Sequence, residues 1–263
     1  MSKVKKDLQN FKDLKVRNTS LALNRDIYEA TKKMISDESR FIAHTMKKSS
    51  CSIVSNIAEG CANFYYEREL YHWKISLSKA GELLGLINIA FQLRYIEVVQ
   101  YENLRLICNN IINELNSLIR KNSAITSNIK PSKPIKVFRF GVAVRLFPLH
   151  LDTALFLPSE TEKLLNILPK SEEFIIKDQL LRASRSVTDN IQTKWSSCEG
   201  REFQALNTAL GSNAECISLV EMAIGAKYVT EKECERILEV TGNINLILTA
   251  LLAYLHADWR CKE

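Results

Sequence analysis

The segment richest in reactive side-chain types runs from Ser49 to Gly60 and reads SSCSIVSNIAEG. A related segment, ASRSVTDNIQTK, follows 134 positions later at Ala183–Lys194, so that Asn56 aligns with Asn190. Serine hydroxyls can attack substrates or bind phosphate, but no histidine partner or glycine-rich loop stands at the spacing that these chemistries need. We therefore interpret the serines as small residues that let a neighbouring helix approach closely.

Two Asn and Glu pairs recur at matching positions, Asn56 with Glu82 and Asn190 with Glu215. An inward-facing Glu that accepts hydrogen bonds from an Asn would fix the register of two helices, because an unpaired carboxylate in a core is costly. The alternative is a carboxylate metal or acid–base site, but neither half contains the two Glu-x-x-His pairs that a di-metal helical bundle needs. We expect these four residues to form a structural polar core.

Metal and cofactor chemistry has little support elsewhere in the sequence. The four histidines form no pair at i, i+4 spacing, and the seven cysteines include no Cys-x-x-Cys pair. Buried, reduced thiols that pack as small hydrophobic groups are typical of a cytoplasmic protein. The sequence therefore predicts no metal, no cofactor and no enzymatic activity.

The basic residues are the remaining candidates for binding. Residues 1–130 carry 20 Lys and Arg against 13 Asp and Glu, a net +7, whereas the rest carry 16 against 17, a net −1. Cations on a solvated helix face bind phosphates with a strong salt dependence and little sequence preference. An ordinary solvated face has the same composition, so both interpretations stay open. The candidate nucleic-acid-binding residues are Lys12, Lys15, Arg17, Lys47, Lys48, Arg182 and Arg185.

These candidates lie on predicted helices. Apolar residues spaced by three and four predict helices over about 13–35, 37–60, 70–91 and 99–121. Ser36 is predicted to cap the second helix, and Gly60 is predicted to end it. Four amphipathic helices joined by short turns predict an antiparallel up-down-up-down bundle over residues 1–122.

The polar, proline-containing stretch Asn122–Pro134 predicts a linker, which we assign to residues 123–148 with a candidate short strand at Val137–Val144. The four-helix plan then returns over 149–263, with a predicted capping box at Ser159 and Glu162. The third and fourth helices of the two halves align at an offset of 133, so that Tyr95 meets Tyr228. This self-similarity predicts an all-α fold of two tandem four-helix bundles.

Targeting segments are not expected. The basic N-terminus lacks the apolar core of a secretory signal. The most apolar run, Ile244–Leu255, is too short and too polar to span a bilayer. We expect a soluble protein without a membrane partner.

Three segments carry a family resemblance. The first half contains FKDLKVRNTSLALNRDIYEATKK at Phe11–Lys33 and TMKKSSCSIVSNIAEG at Thr45–Gly60, and the second keeps DQLLRASRSVTDNIQ at Asp178–Gln192 without the Ala-Glu-Gly ending. Each half resembles the four-helix-bundle family encoded in intervening sequences of bacterial 23S ribosomal RNA genes. Accessory variability-determinant proteins of diversity-generating retroelements are relatives of that family.

The resemblance implies small helical bundles without known catalysis. The retroelement accessory proteins form homopentamers that contact nucleic acid and a reverse transcriptase, so the resemblance implies an RNA or DNA partner, a reverse transcriptase as a further partner, and a homo-oligomer. A tandem fusion departs from the single-unit pattern and argues against a simple five-fold ring of single units. We predict a non-enzymatic nucleic-acid-binding accessory protein. The alternative is a protein-interaction or oligomerisation scaffold without nucleic-acid binding.

Overall fold

The computed structural model describes the backbone of residues 10–128, 152–196 and 201–260, and the side chains of residues 10–125, 153–192 and 203–255. These residues form eight α-helices and contain no β-strand, which confirms the predicted all-α class with two helical bundles. The candidate strand at Val137–Val144 lies outside the described residues. We refer to the first four helices as unit 1 and to the last four as unit 2.

Unit 1 follows the predicted helix order with small shifts at the ends. Ser36 caps the second helix as predicted, because its hydroxyl accepts a hydrogen bond from the Ser39 amide at 3.3 Å. The last helix continues to Asn128, six residues beyond the predicted end of the first bundle at residue 122. The helices are α1 (Lys15–Ala30), α2 (Asp37–Ala62), α3 (Tyr66–Gln92) and α4 (Val98–Asn128).

Gly60 does not end α2, which continues to Ala62. A Cβ atom at Gly60 would lie 3.0 Å from both His72 Cβ and Trp73 Cδ1 of α3. The glycine therefore allows α2 and α3 to pack closely at this point. The sequence prediction of a C-terminal cap was wrong because a close approach and a helix end both favour glycine.

Unit 2 repeats the plan with a shorter first helix. Pro158 occupies the first turn of that helix, where its missing amide costs no hydrogen bond. The predicted Ser159 capping box is wrong, since Ser159 lies inside the helix and donates to the Phe156 carbonyl at 2.9 Å. The helices are α5 (Leu157–Ile167), α6 (Asp178–Ser196), α7 (Arg201–Gly225) and α8 (Glu231–Arg260), with a π-helical turn at Glu173–Lys177 before α6.

The turn after the third helix has the same backbone conformation in both units. Arg94 has a φ of 57° and Lys227 a φ of 62°, and the two positions are 133 residues apart. The amide of the next residue returns to the helix in each case, from Tyr95 to the Ala90 carbonyl at 2.8 Å and from Tyr228 to the Ala223 carbonyl at 3.1 Å. The offset inferred from the sequence therefore aligns the same left-handed helix ending in both units.

Buried apolar residues of both units join into one core. The contact runs mainly between α2 of unit 1 and α7 of unit 2, with a smaller contribution from α1. The cysteines whose side chains are described are all buried: Cys51, Cys61, Cys108, Cys216 and Cys234.

Helix α8 contains the one segment in the described part of the chain that is long and apolar enough to cross a membrane by length and composition. This segment, Glu231–Leu255, is longer than the Ile244–Leu255 run considered in the sequence. Its side chains Leu248, Leu251 and Leu252 are fully buried in the core. A core helix passes the same length and composition test.

Candidate nucleic-acid interface

The two units contact each other through surfaces that are not equivalent. Helices α1 and α2 of unit 1 pack on α7 of unit 2, whereas the unit 1 counterpart of α7 is α3. The contact is therefore head-to-tail. We call the unit 1 surface the docking face: Arg17, Tyr28, Lys47, Cys51, Ser55, Glu59 and Asn63. We call the unit 2 surface the receiving face: Glu172, Ile175, Phe203, Asn207, Gly211, Glu215, Ser218, Glu221, Met222 and Tyr228.

Lys47 lies within this contact. Its ammonium group is 3.4 Å from Glu172 Oε1, and it also lies 4.7 Å from the centre of the Tyr28 ring. Glu172 is fully buried and accepts hydrogen bonds from the hydroxyls of Tyr28 at 2.8 Å and Tyr228 at 2.9 Å. The buried carboxylate is thus paired and fully hydrogen-bonded, as its burial requires. Cys51 Sγ lies 3.6 Å from the Tyr28 hydroxyl, and burial raises the pKa of this thiol to about 12.

Arg17 is also buried rather than solvated. Its side chain is 2% exposed, and its guanidinium donates to Ser218 Oγ at 3.0 Å and to the Glu221 carboxylate. The expectation of a solvent-facing cation is therefore wrong for Arg17 and Lys47. Both lie on helix faces that point away from the core of unit 1, and the second unit covers those faces. Helical periodicity within one unit contains no information about that cover.

The other five candidates, Lys12, Lys15, Lys48, Arg182 and Arg185, are exposed. Lys15 Nζ lies 3.0 Å from Glu114, and Arg182 Nε lies 3.1 Å from Asp178. Exposed ion pairs of this kind contribute little and exchange readily with other partners. These cations therefore remain available to an anionic ligand.

The structure brings only some of the candidates together. Lys12 and Arg17 line one groove of about 400 Å³ between α1 and α7, and Lys12 Nζ lies 3.8 Å from Glu221 of that groove. Arg25, an exposed residue on the same groove, was missed in the sequence analysis. Arg25 lies eight residues after Arg17, within the same broad face of α1, and this spacing was the available signal.

The predicted pairing of Asn with Glu is wrong in both units. Asn56 donates to the carbonyl of Ser52 at 2.9 Å, and Asn190 donates to the carbonyl of Ser186 at 2.8 Å. Each Asn also reaches the hydroxyl of the same serine. The two asparagines therefore recur for the same local contact, one turn back along their own helix.

The two aligned glutamates have opposite environments. Glu82 is exposed, and hydrogen bonds from Lys79 and Ser49 lower the pKa of its carboxyl group. Glu215 lies on the receiving face, where burial and the nearby Glu59 raise its pKa to about 8, against the opposing effect of Arg182. The inward-facing carboxylate expected in both units is present only in unit 2.

Glu59 and His72, which the sequence analysis missed, lie in the same polar region as Asn56 and Glu215. Burial raises the pKa of Glu59, and burial together with Arg68 lowers the pKa of His72 to about 4. His72 Nδ1 lies 3.1 Å from Asn56 Oδ1 and 3.5 Å from Glu59 Oε2. Because this imidazole is neutral near pH 7, its contact with Glu59 is not an ion pair. The signal in the sequence was the Ala-Glu-Gly ending that unit 2 lacks.

This region can hold a proton near neutral pH on Glu215, whose carboxyl group faces Glu59 across the contact. Within the described residues, no group of three or more His, Cys, Asp or Glu side chains could hold a metal ion. A proton on Glu215 removes one of the two like charges that face each other at this contact.

Each of the two units matches the same protein family. The family model of the 23S rRNA-intervening sequence protein matches residues 12–117 and 152–250, most of the chain. The chain belongs to this family. No curated protein and no solved structure matches it.

Membership in the 23S rRNA-intervening sequence protein family applies to each unit separately. The first matched segment begins just before α1 and ends inside α4, and the second begins before α5 and ends inside α8. Each segment therefore spans four helices, so one family unit corresponds to one bundle. The tandem arrangement inferred from the internal repeat is confirmed.

Proposed function

We propose that this member of the 23S rRNA-intervening sequence protein family binds nucleic acid through unit 1 as a non-enzymatic accessory protein in the cytoplasm. The supporting observation is that Lys12, Lys15 and Lys48 stay exposed in the unit that carries a net +7 over residues 1–130. RNA and single-stranded or hybrid DNA are the proposed ligands. A reverse transcriptase is the proposed protein partner.

The proposed binding is electrostatic, because exposed lysines recognise phosphates rather than base edges. Lys12 and Lys15 first have to exchange their contacts with Glu221 and Glu114. Such exposed pairs contribute about 0.2–1 kcal/mol, so the exchange costs little. Arg17 and Lys47 act indirectly in this proposal, since both maintain the contact between the units.

Fluorescence anisotropy with a structured RNA and a single-stranded DNA tests the proposal. We expect binding to weaken by at least about tenfold when the salt concentration rises from about 50 to about 200 mM. Lys12→Glu combined with Lys48→Glu should remove most of the binding, because both residues are exposed.

Lys33→Glu combined with Arg120→Glu is the matched control, since it makes the same charge change at exposed residues of unit 1 outside the candidate set. Equal loss in the two double variants would mean that net charge alone drives binding. Absence of salt-sensitive binding by the wild-type protein would overturn the proposal.

A protein-interaction scaffold is the second candidate function. Unit 1 exposes large apolar side chains that a solvated surface does not need, including Phe41 at 72% and Ile89 at 44%. A stable oligomer that persists after nuclease treatment, with no nucleic-acid binding, is the expected outcome for this function.

A further inference from the structure

A groove of about 490 Å³ lies between α3 and α4 of unit 1, within the size range of sites for small ligands. Two aromatic rings line it. Phe91 of α3 and Tyr101 of α4 stack with their ring centres 4.1 Å apart and their planes within 10°. The guanidinium carbon of Arg105, one turn after Tyr101, lies 5.8 Å from the centre of the Tyr101 ring. Aromatic rings and guanidinium planes are the groups on which proteins stack unpaired bases.

Three side-chain amides line the same groove: Asn88, Gln92 and Asn109. In the described part of the chain, none of these amide groups has a hydrogen-bond partner. Each amide presents a donor beside an acceptor, which matches the paired groups along the edge of a base. The groove therefore combines ring faces for stacking with amides for contacts to a base edge.

Helical spacing brings these side chains together. Tyr101, Arg105 and Asn109 follow one another at intervals of four on α4, and Asn88 and Gln92 have the same interval on α3. Residues four apart lie on one face of a helix. Because α3 and α4 pack against each other, the two faces meet at the groove.

Unit 2 builds the same pair of helices without these side chains. At the offset of 133, the positions of Phe91, Tyr101, Arg105 and Asn109 are occupied by Ile224, Cys234, Leu238 and Gly242. The helical bundle itself therefore does not require an aromatic stack, a guanidinium group or an amide at these positions. Their presence together in unit 1 points to binding.

We propose that the groove between α3 and α4 of unit 1 binds one unpaired nucleobase of a single-stranded nucleic acid, with the base stacked on the Tyr101 ring and its edge hydrogen-bonded to the groove amides. This inference rests on the proposed nucleic-acid binding by unit 1 and adds a contact to a base. Arg105 is free to stack on the bound base, because its ion pair with Glu102 at 3.7 Å is exposed and weak.

The groove lies near one of the proposed phosphate contacts. Lys15 pairs with Glu114, which follows Asn109 by five residues on α4. Five residues correspond to about 8 Å along the axis of a helix. One strand can therefore place a base in the groove and a neighbouring phosphate beside Lys15.

A single-stranded RNA that carries the fluorescent base 2-aminopurine tests the proposal, since stacking quenches its fluorescence while anisotropy measures overall binding. We expect quenching by the wild-type protein. Tyr101→Leu should abolish the quenching and weaken binding of the single strand by about tenfold. Binding of a duplex of the same sequence should not change, because its bases are paired.

Two further variants separate stacking from charge and from loss of any tyrosine. Arg105→Lys keeps the charge but not the planar group, so it should reduce the quenching and weaken binding about threefold without changing the salt dependence. Tyr71→Leu is the matched control, since Tyr71 is 62% exposed on α3 and does not line the groove. It should bind and quench like the wild type, and circular dichroism should show the same helix content in all variants.

Salt-sensitive binding without quenching, or with equal losses in Tyr101→Leu and Tyr71→Leu, would overturn this inference and leave the proposed function standing. Failure of every strand to bind would overturn both. Equally strong quenching of the free 2-aminopurine nucleoside at the same concentration would assign the groove to a free nucleoside and overturn the proposal of a strand.

Discussion

Units 1 and 2 share a helix plan but differ in what covers their equivalent surfaces. The docking face of unit 1 is buried under unit 2, and it contains small residues such as Cys51 and Ser55. The same surface of unit 2 is exposed and contains Arg185 and Asp189. The two copies of one family unit have therefore diverged at the positions where only one of them has a neighbour.

Positions with local partners have not diverged in this way. Asn56 and Asn190 make the same contact one turn back along their helices, and Arg94 and Lys227 share the same left-handed turn. Contacts made within one turn of a helix are therefore the same in both units. Contacts made across the interface between the units are not repeated.

The largest expected effect comes from exchanging residues between the two surfaces. Ser55→Asp introduces the unit 2 residue into the buried docking face, where Ser55 is 2% exposed. We expect a loss of about 3–5 kcal/mol in the free energy of unfolding, because a buried charge would have no partner. Urea denaturation followed by circular dichroism measures this loss.

The reciprocal variant is the control. Asp189→Ser lies on the exposed copy of the same surface and should change stability by less than about 0.5 kcal/mol. Comparable losses in the two variants would show that the surfaces are not as different as the structure indicates.

A smaller effect is expected for Glu215. Because its folded-state pKa is raised from 4.5 to about 8, the folded protein binds more protons than the unfolded protein between these values. The contribution of Glu215 to stability is therefore fully present below pH 4.5 and is lost as the pH rises through about 8. Glu215→Gln should remove this pH dependence and stabilise the protein at high pH, by about 2 kcal/mol after allowance for partial solvent exposure.

Thermal unfolding between acidic and alkaline pH measures this dependence. The groups that face Glu215 in this titration are Glu59 and Arg182. Glu82→Gln at the equivalent position of unit 1 should leave the profile unchanged near and above neutral pH, because the pKa of Glu82 is lowered rather than raised. Matching profiles for the two variants would contradict the assignment of the raised pKa to Glu215.

The smallest effect is expected where the units are alike. Arg94→Gly and Lys227→Gly should each stabilise the protein by about 1 kcal/mol, because a left-handed backbone is strained for residues with a Cβ atom. Differential scanning calorimetry of each variant measures the change. A gain in one unit only would show that the two turns differ in strain despite their similar φ values.

Much of the fold could be predicted because its determinants are local. Apolar spacing predicted the helices, Ser36 was identified as a cap, and the repeat at an offset of 133 predicted two units. The errors also have local causes. Gly60 was assigned to a helix end, and Asn56 was paired with Glu82 although its amide group donates to Ser52 on its own helix.

The candidate site was harder to predict because charge and amphipathicity do not reveal that a second unit covers the polar face of a helix. Lys48 and Lys47 are adjacent in the sequence, yet Lys48 is exposed and Lys47 pairs with the fully buried Glu172. Lys47 and Glu172 are 125 residues apart in the sequence, a separation that helical periodicity cannot report on.

The sequence by itself determined the helices, the tandem repeat and the family, since each depends on side-chain types at short spacing. Only the tertiary structure decided which copy of each surface is covered. That choice depends on how two similar units pack, and it raised the pKa of the half-buried Glu215 while Glu82 stayed exposed. A residue's environment is set by every element around it, whereas sequence patterns report only on its own helix.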